Sequence, residues 1–168
     1  MSESFSVRIA KAEHVFSAAH FITFAGTCER LHGHNYRVTA EVAGPLDADH
    51  LVVDFLALGE QLRMITQELD HYVLLPTEHP RIHVAEHGDS VTAAFDDRRW
   101  VFPRGDCRLL PVANTTAELL ARYIGRRLLL ALGDRSGLEP ARLRIELDEC
   151  DGQAAIWESQ PGQDRRAT

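Results

Sequence analysis

Two histidines separated by one glycine, His32-Gly33-His34, open a stretch whose apolar residues alternate at Tyr36, Val38, Ala40 and Val42. Residues two apart on a strand point to one face, so both imidazoles can reach a single ion. Gly33 between them keeps that approach open. A third ligand has to come from elsewhere, and His20 is best placed, because it ends the preceding strand-like run and the intervening loop can fold back. Three imidazoles with one open position form a catalytic zinc arrangement rather than a closed structural one. Imidazole ligands make zinc the first choice and leave iron, nickel and cobalt open. An isolated His-x-His is more often a polar stripe on a strand edge, but here Cys28 stands four residues before His32 and His20 lies upstream. A buried thiol is ordinarily an inert small hydrophobe. Beside a dication and imidazoles its pKa falls, and it can act as base or nucleophile.

Two further clusters carry chemistry. Asp70 next to His71 could orient an imidazole that relays protons, although a histidine near a helix C-terminus is also favoured by the helix dipole alone. Glu146, Asp148 and Glu149 end a strand: the first two share one face and Glu149 takes the other. A buried carboxylate there could accept two parallel N–H bonds from the amide–amine edge of a heterocycle; the plainer alternative is surface charge near a turn. His14, His50, His79, His83 and His87 have no such partners, and the last three are read as a solvated loop because Pro80 opposes a helix. Cys107 and Cys150 are read as unreactive, and Trp100 and Trp157 as packing residues.

The elements that must position these groups follow from periodicity. Residues 5–18 read as one long strand, bulged near 11–13, and residues 34–43 as a second. Residues 55–69 put Leu58, Leu62, Ile65 and Leu69 on one helical face behind an Asp54 cap. Residues 115–132 form a second helix, capped by Asn114, Thr115 or Thr116 and ended by Gly133; with Thr115 as cap, Glu118 completes a capping box. Residues 142–149 and the run containing Ala154 and Ile156 are strands joined at Asp151-Gly152. Strand, strand, helix, variable segment, helix, strand, strand is an α+β order, with a four-stranded antiparallel sheet and two helices on one face. Residues 1–158 form one domain, 76–113 an inserted hairpin or flap, and 159–168 a polar tail.

The 168 residues carry 18 basic and 25 acidic side chains, a formal net charge of −7. Nucleic acid is therefore a disfavoured partner. No apolar run is long enough to span a membrane. The N-terminal stretch lacks the pattern of a signal peptide, and three widely spaced cysteines do not make a disulfide framework, so a cytoplasmic location is expected.

The segments FSAAH (16–20), CERLHGHNY (28–36), VVDF (52–55), LDHYVL (69–74) and NTTAE (114–118), with a strand ending in Glu149, occur in an order that resembles the 6-pyruvoyl-tetrahydropterin synthase and 6-carboxytetrahydropterin synthase family. The resemblance spans residues 5–158 apart from 76–113. It implies a tunnelling fold whose subunits close into an oligomeric barrel, as a homohexamer of two stacked trimers with sites at subunit interfaces. It implies Zn2+ on His20, His32 and His34; Cys28, Asp70 and His71 as catalytic residues; and Glu149, with Thr116, as the pterin anchor. The strand ends Glu-Cys where the family usually has Glu-Thr. Glu29 beside Cys28 gives CExxHGH. Members with the cysteine make carboxy- or pyruvoyl-tetrahydropterin, whereas members relying on a glutamate at the next position release 6-hydroxymethyl-dihydropterin for folate synthesis. The implied reaction converts 7,8-dihydroneopterin triphosphate to 6-carboxy-5,6,7,8-tetrahydropterin, acetaldehyde and triphosphate, in a queuosine-type precursor pathway. Its alternatives are the other two products, or a non-catalytic pterin- or metal-binding hexamer. A triphosphate needs local cations against the acidic background; Arg30, Arg104 and Arg108 are the candidates.

Overall fold

In the computed structural model, which describes residues 3–136, 140–150 and 152–159, the alternating run that begins at His32 becomes the central strand of the main sheet. In chain order the strands are β1 (Phe5–Ile9), β2 (Val15–His20), β3 (Thr23–Phe24), β4 (Thr27–Cys28), β5 (His32–Gly44), β6 (Tyr72–Pro76), β7 (His83–His87), β8 (Ser90–Phe95), β9 (Arg98–Pro103), β10 (Cys107–Leu110), β11 (Arg142–Cys150) and β12 (Gln153–Glu158). The helices are α1 (Phe55–Gln67) and α2 (Ala117–Ser136).

β1 and β2 pair antiparallel with successive parts of one edge of β5, from Phe5↔Gly44 to Ile9↔Ala40 and from Val15↔Arg37 to His20↔His32. The expected long strand is thus two strands, with residues 10–14 bulging between them. β11 pairs antiparallel with the other edge of β5, and β12 with β11. These four antiparallel ribbons match expectation, but the sheet does not stop there. β6 adds to β2, and β10 to β6, both in parallel. The result is a mixed seven-stranded sheet in the order β10-β6-β2-β5-β11-β12, with β1 on β5. It is neither four-stranded nor purely antiparallel, because the chain returns through α1 before β6 and so enters the sheet in the direction of β2.

Both helices pack on one face. Phe16, Tyr36, Val38, Ala40, Val42, Leu143, Ile145 and Leu147 meet Leu58, Leu62 and Ile65 of α1 and Leu120, Ile124 and Leu128 of α2. Each such fully buried aliphatic contributes about 1.5–3 kcal/mol relative to exposure. Asp54 caps α1 as expected, its carboxylate accepting from the Leu56 N–H. The cap of α2 is Thr116, whose hydroxyl accepts from Leu119 N–H. α2 does not end at Gly133 but runs to Ser136; a helical glycine costs only about 1 kcal/mol against alanine, and the packed face upstream carries the helix through it. The turn residue Asp151 and residues 160–168 lie outside the described residues. Ser159 is tied to Leu143 by two hydrogen bonds, so the strand pairing extends one residue into the expected tail.

Within residues 76–113, β7, β8 and β9 form an antiparallel three-stranded sheet of their own. It has its own core, in which Ile82, Val91, Ala93 and Phe95 pack with Phe21, Cys28, Leu75 and Cys107. The histidines placed in a solvated loop are therefore differently housed. His83 and His87 bound β7. His79 bonds Thr23 Oγ1 and accepts from the N–H groups of Arg81 and Ile82.

Candidate active site

The register of β2 against β5 assembles the imidazoles. His20 lies opposite His32, and Ala18 opposite His34, so the three rings project from one face at the end of the two strands. Their ring centroids are 4.6, 5.0 and 5.3 Å apart, and one nitrogen from each lies within 4.8 Å of the others. His20 is buried, and its Nδ1 lies 2.8 Å from the Thr115 carbonyl oxygen. A carbonyl only accepts, so Nδ1 carries the hydrogen and Nε2 is left for an ion. His32 is set in the same way by the Arg30 carbonyl at 2.8 Å. Burial above all lowers the His20 pKa, which keeps that ring neutral. This donor set fits a divalent cation with an open position. Gly33 has a further reason to be glycine: a Cβ there would lie 3.1 Å from the Ala18 carbonyl oxygen, tighter than the paired strands comfortably admit.

Glu149 continues the inward phase of Leu143, Ile145 and Leu147 and reaches the same corner, beside a register shift between Asp148 and Cys150. Its Oε1 lies 3.4 Å from His20 Nε2 and 3.6 Å from His34 Nε2. With Thr116 it lines a 430 Å³ cavity that also takes in Phe24, Glu118 and Gln153. Glu149 is therefore both beside the imidazoles and on the wall of a pocket able to take a heterocycle. The residue that sequence reasoning missed is Tyr36. It was counted as an apolar strand residue, yet its hydroxyl lies 3.2 Å from His20 Nε2 and donates to Glu149 at 3.1 Å. Burial first, and then Glu149, push its pKa far up, so it stays a donor. Its position two residues beyond His34 on the same face was the available signal.

Cys28 and Glu29 are adjacent but differently placed. Cys28 is 8% exposed and belongs to the apolar cluster of the 76–113 sheet. Burial raises its pKa, and the neighbouring Arg98 opposes that rise. Glu29 is solvent-exposed, with Oε2 3.9 Å from His32 Nε2.

Asp70 and His71 form the expected pair, with Nδ1 to Oδ2 at 2.9 Å. Asp70 Oδ1 accepts from the Ser17 N–H, and the His71 N–H donates to the Ser17 carbonyl. His71 holds a left-handed backbone (φ 62°), which swings its 80%-exposed ring outward. That ring lines a 510 Å³ cavity with Ser17, Ala19, Asn35 and Asp106, separate from the Glu149 cavity; Cys28 lines neither. A single chain thus brings together the three imidazoles, Tyr36, Glu149 and Glu29, while His71 shares its cavity with His34 but not with Glu149. Of the candidate phosphate ligands, Arg104 pairs with Glu86, while Arg108 donates to the Glu68 carbonyl and stacks 3.8 Å over Tyr72; Arg30 is exposed.

The family described as 6-pyruvoyl tetrahydropterin synthase matches residues 9–160. A Pyrococcus horikoshii protein named "Putative 6-carboxy-5,6,7,8-tetrahydropterin synthase" is 32% identical over 132 residues, covering 77% of this chain and 78% of its own. Among solved structures, Plasmodium falciparum 6-pyruvoyl tetrahydropterin synthase superposes with a TM-score of 0.87 at 28% identity, over 95% of this chain and 99% of its own. A Plasmodium vivax 6-pyruvoyltetrahydropterin synthase, in a variant whose catalytic glutamate is replaced by alanine, superposes with a TM-score of 0.86 at 26% identity, with the same coverage.

Proposed function

The chain belongs to the 6-pyruvoyl tetrahydropterin synthase family, and on that premise we propose that it is a zinc-dependent lyase converting 7,8-dihydroneopterin triphosphate and one water to 6-carboxy-5,6,7,8-tetrahydropterin, acetaldehyde and triphosphate. The observation that carries this reading is the convergence of His20, His32 and His34 with Glu149 on one sheet face. Zinc held there would act as a Lewis acid that acidifies the hydroxyl-bearing carbons of the substrate side chain. Glu149, with Thr116 beside it, holds the pterin through the 2-amino and N3–H groups, and Tyr36 keeps the carboxylate aimed. The Cys28 thiolate removes a proton at the carbon next to the ring. His71, held by Asp70, moves a proton on the opposite side.

On the same reading the working site is formed between subunits of a homohexamer, as the family resemblance implies; within one chain His71 shares a cavity with His34 and not with Glu149. The relative from Pyrococcus horikoshii supports the carboxylated product. Among the described residues no helix is long and apolar enough to cross a membrane.

A second reading is favoured by one observation: the exposed carboxylate 3.9 Å from His32 belongs to Glu29, while the Cys28 thiol sits in an apolar cluster. In that case Glu29 is the base and the product is 6-hydroxymethyl-dihydropterin, in keeping with the catalytic glutamate of the Plasmodium vivax protein. Mass analysis of the product from zinc-loaded wild type, Cys28→Ala and Glu29→Ala separates the two. The carboxylated pterin, lost in Cys28→Ala with zinc still bound, establishes the first reading. The hydroxymethyl product, lost in Glu29→Ala, establishes the second. A pterin recovered unchanged means a non-catalytic binder.

A further inference from the structure

Cys28 and Glu29 leave the short hairpin β3–β4, which has two residues in each strand and a tip of Ala25 and Gly26, both in the left-handed region. A hairpin this small does not hold its shape alone. Its supports come from Asn114, whose side chain bonds Thr23 at both its N–H and its carbonyl, and from residues 76–113. His79 Nε2 meets Thr23 Oγ1 at 2.8 Å, and Arg81 Nη1 donates to the Gly26 carbonyl at 3.0 Å. Arg98, on β9, donates from Nη1 to the Cys28 carbonyl. That carbonyl belongs to the peptide unit joining the two candidate bases, so its orientation governs both side chains at once.

Arg98 is itself held in place. Its guanidinium lies 4.6 Å over the Trp100 ring, and Trp100 stacks on Phe21 at 4.5 Å and 16°. Phe21 directly follows the zinc-ligand candidate His20 and is fully buried. A continuous path therefore runs from the β2 terminus through Phe21, Trp100 and Arg98 to the Cys28–Glu29 peptide. Arg99, the next residue on β9, points to the other face of that sheet.

We propose that Arg98 is a positioning residue of the reaction: with Trp100 behind it, its hydrogen bond to the Cys28 carbonyl sets the Cys28–Glu29 peptide against the imidazole corner, and residues 76–113 brace the site rather than cover it. This rests on the pterin-lyase reading, whichever of the two adjacent residues is the working base. A misplacement of about 1 Å at a reacting group costs roughly 100-fold in rate. Arg98→Ala should therefore lower kcat by roughly 30–100-fold, with KM changed less than about threefold and bound zinc unchanged. Arg98→Lys, which still reaches a carbonyl with a charged donor, should recover most of the rate, and Arg99→Ala should run at the wild-type rate. Hydrogen exchange at the amides of 22–29 should speed up in Arg98→Ala and return toward wild type in Arg98→Lys.

A kcat within threefold of wild type in Arg98→Ala overturns the proposal. So does a loss of zinc in step with rate, or a Lys variant as poor as the Ala variant, since either marks a general structural role. Should Arg98→Ala not fold, Arg98→Lys and Arg98→Gln decide on the same kcat and zinc readouts: a graded loss of kcat at constant KM and zinc supports the proposal, and an unchanged kcat in both overturns it. If wild-type protein makes no pterin product, the functional reading fails on its own. The exchange data from residues 22–29 still decide whether Arg98 holds the peptide.

Discussion

His20, His32 and His34 stand on two long strands whose register is fixed by six consecutive pairings, from Val15↔Arg37 to His20↔His32, and by the helix-packed core beneath them. Cys28 and Glu29 stand on a hairpin with two pairings, Thr23↔Cys28 and Phe24↔Thr27, held in place by side chains from a distant segment. The first arrangement obtains its geometry from backbone pairing. The second obtains it from side-chain bonds made by His79, Arg81, Arg98 and Asn114 and from a small apolar cluster. On the proposed function, ion binding and proton transfer would thus be supported by separate structures, and each should fail without the other.

The strongest way to break that separation is at the triad. His34→Ala should lose bound zinc and lower turnover by more than about 100-fold, the upper effect of second-shell changes alone, while Cys28 alkylation remains as in the zinc-free wild type; elemental analysis and product assay check it. Retention of stoichiometric zinc would mean that the three imidazoles do not act as a unit.

A matched pair of core truncations sharpens the contrast at a cost of about 3–5 kcal/mol each. Phe95→Ala empties the cluster under Cys28, and Phe16→Ala removes a ring stacked 4.8 Å from Tyr36 in the main core. Both should lower stability in denaturant titrations. Zinc affinity should fall only in Phe16→Ala, and Phe95→Ala should lose rate at unchanged zinc affinity.

The smallest effect concerns acid. His14, in the bulge between β1 and β2, is fully buried, and among the described residues its ring makes no well-formed hydrogen bond, with the Glu13 carboxylate 4.0 Å from Nε2 and the Gly59 backbone close by. Burial lowers its pKa below 6.5, so below that pH the unfolded chain takes up the proton more readily than the folded one. Stability should therefore fall as pH drops through 6.5 toward the depressed value, with a slope of up to about 1.4 kcal/mol per pH unit from this group. His20 and His79, also lowered, tilt the curve the same way. His14→Leu should flatten part of the slope in unfolding titrations between pH 5 and 7; an unchanged slope would show that His14 is not the weak point of the main core.

What the residues disclosed in advance follows the same division. The triad was legible because period-two geometry puts His32 and His34 on one face, whereas strand phase left Glu149 open between a buried anchor and surface charge, and only the family resemblance singled it out. The cap at Asp54 was legible from local chemistry. The parallel addition of β6 and β10 left no trace in periodicity, since pairing partners far apart in sequence have no local signature. The β-like runs at 81–86 and 98–102 pointed to a hairpin and became β7 and β9, whereas the strand between them, residues 90–95, went unread among turn signals. The tie between Arg98 and Cys28 spans 70 residues, and nothing in the spacing of either residue points to it.

The contact between His20 and the Thr115 carbonyl has one more consequence. A ligand that must shed a proton before it can coordinate makes cation uptake compete with acidity, and the ring then works as a titrating gate. Here the imidazole keeps its single hydrogen on the side turned away from the cation and has nothing to surrender when one arrives. At that vertex a cation would compete with acid only once the pH falls toward the lowered pKa of the ring.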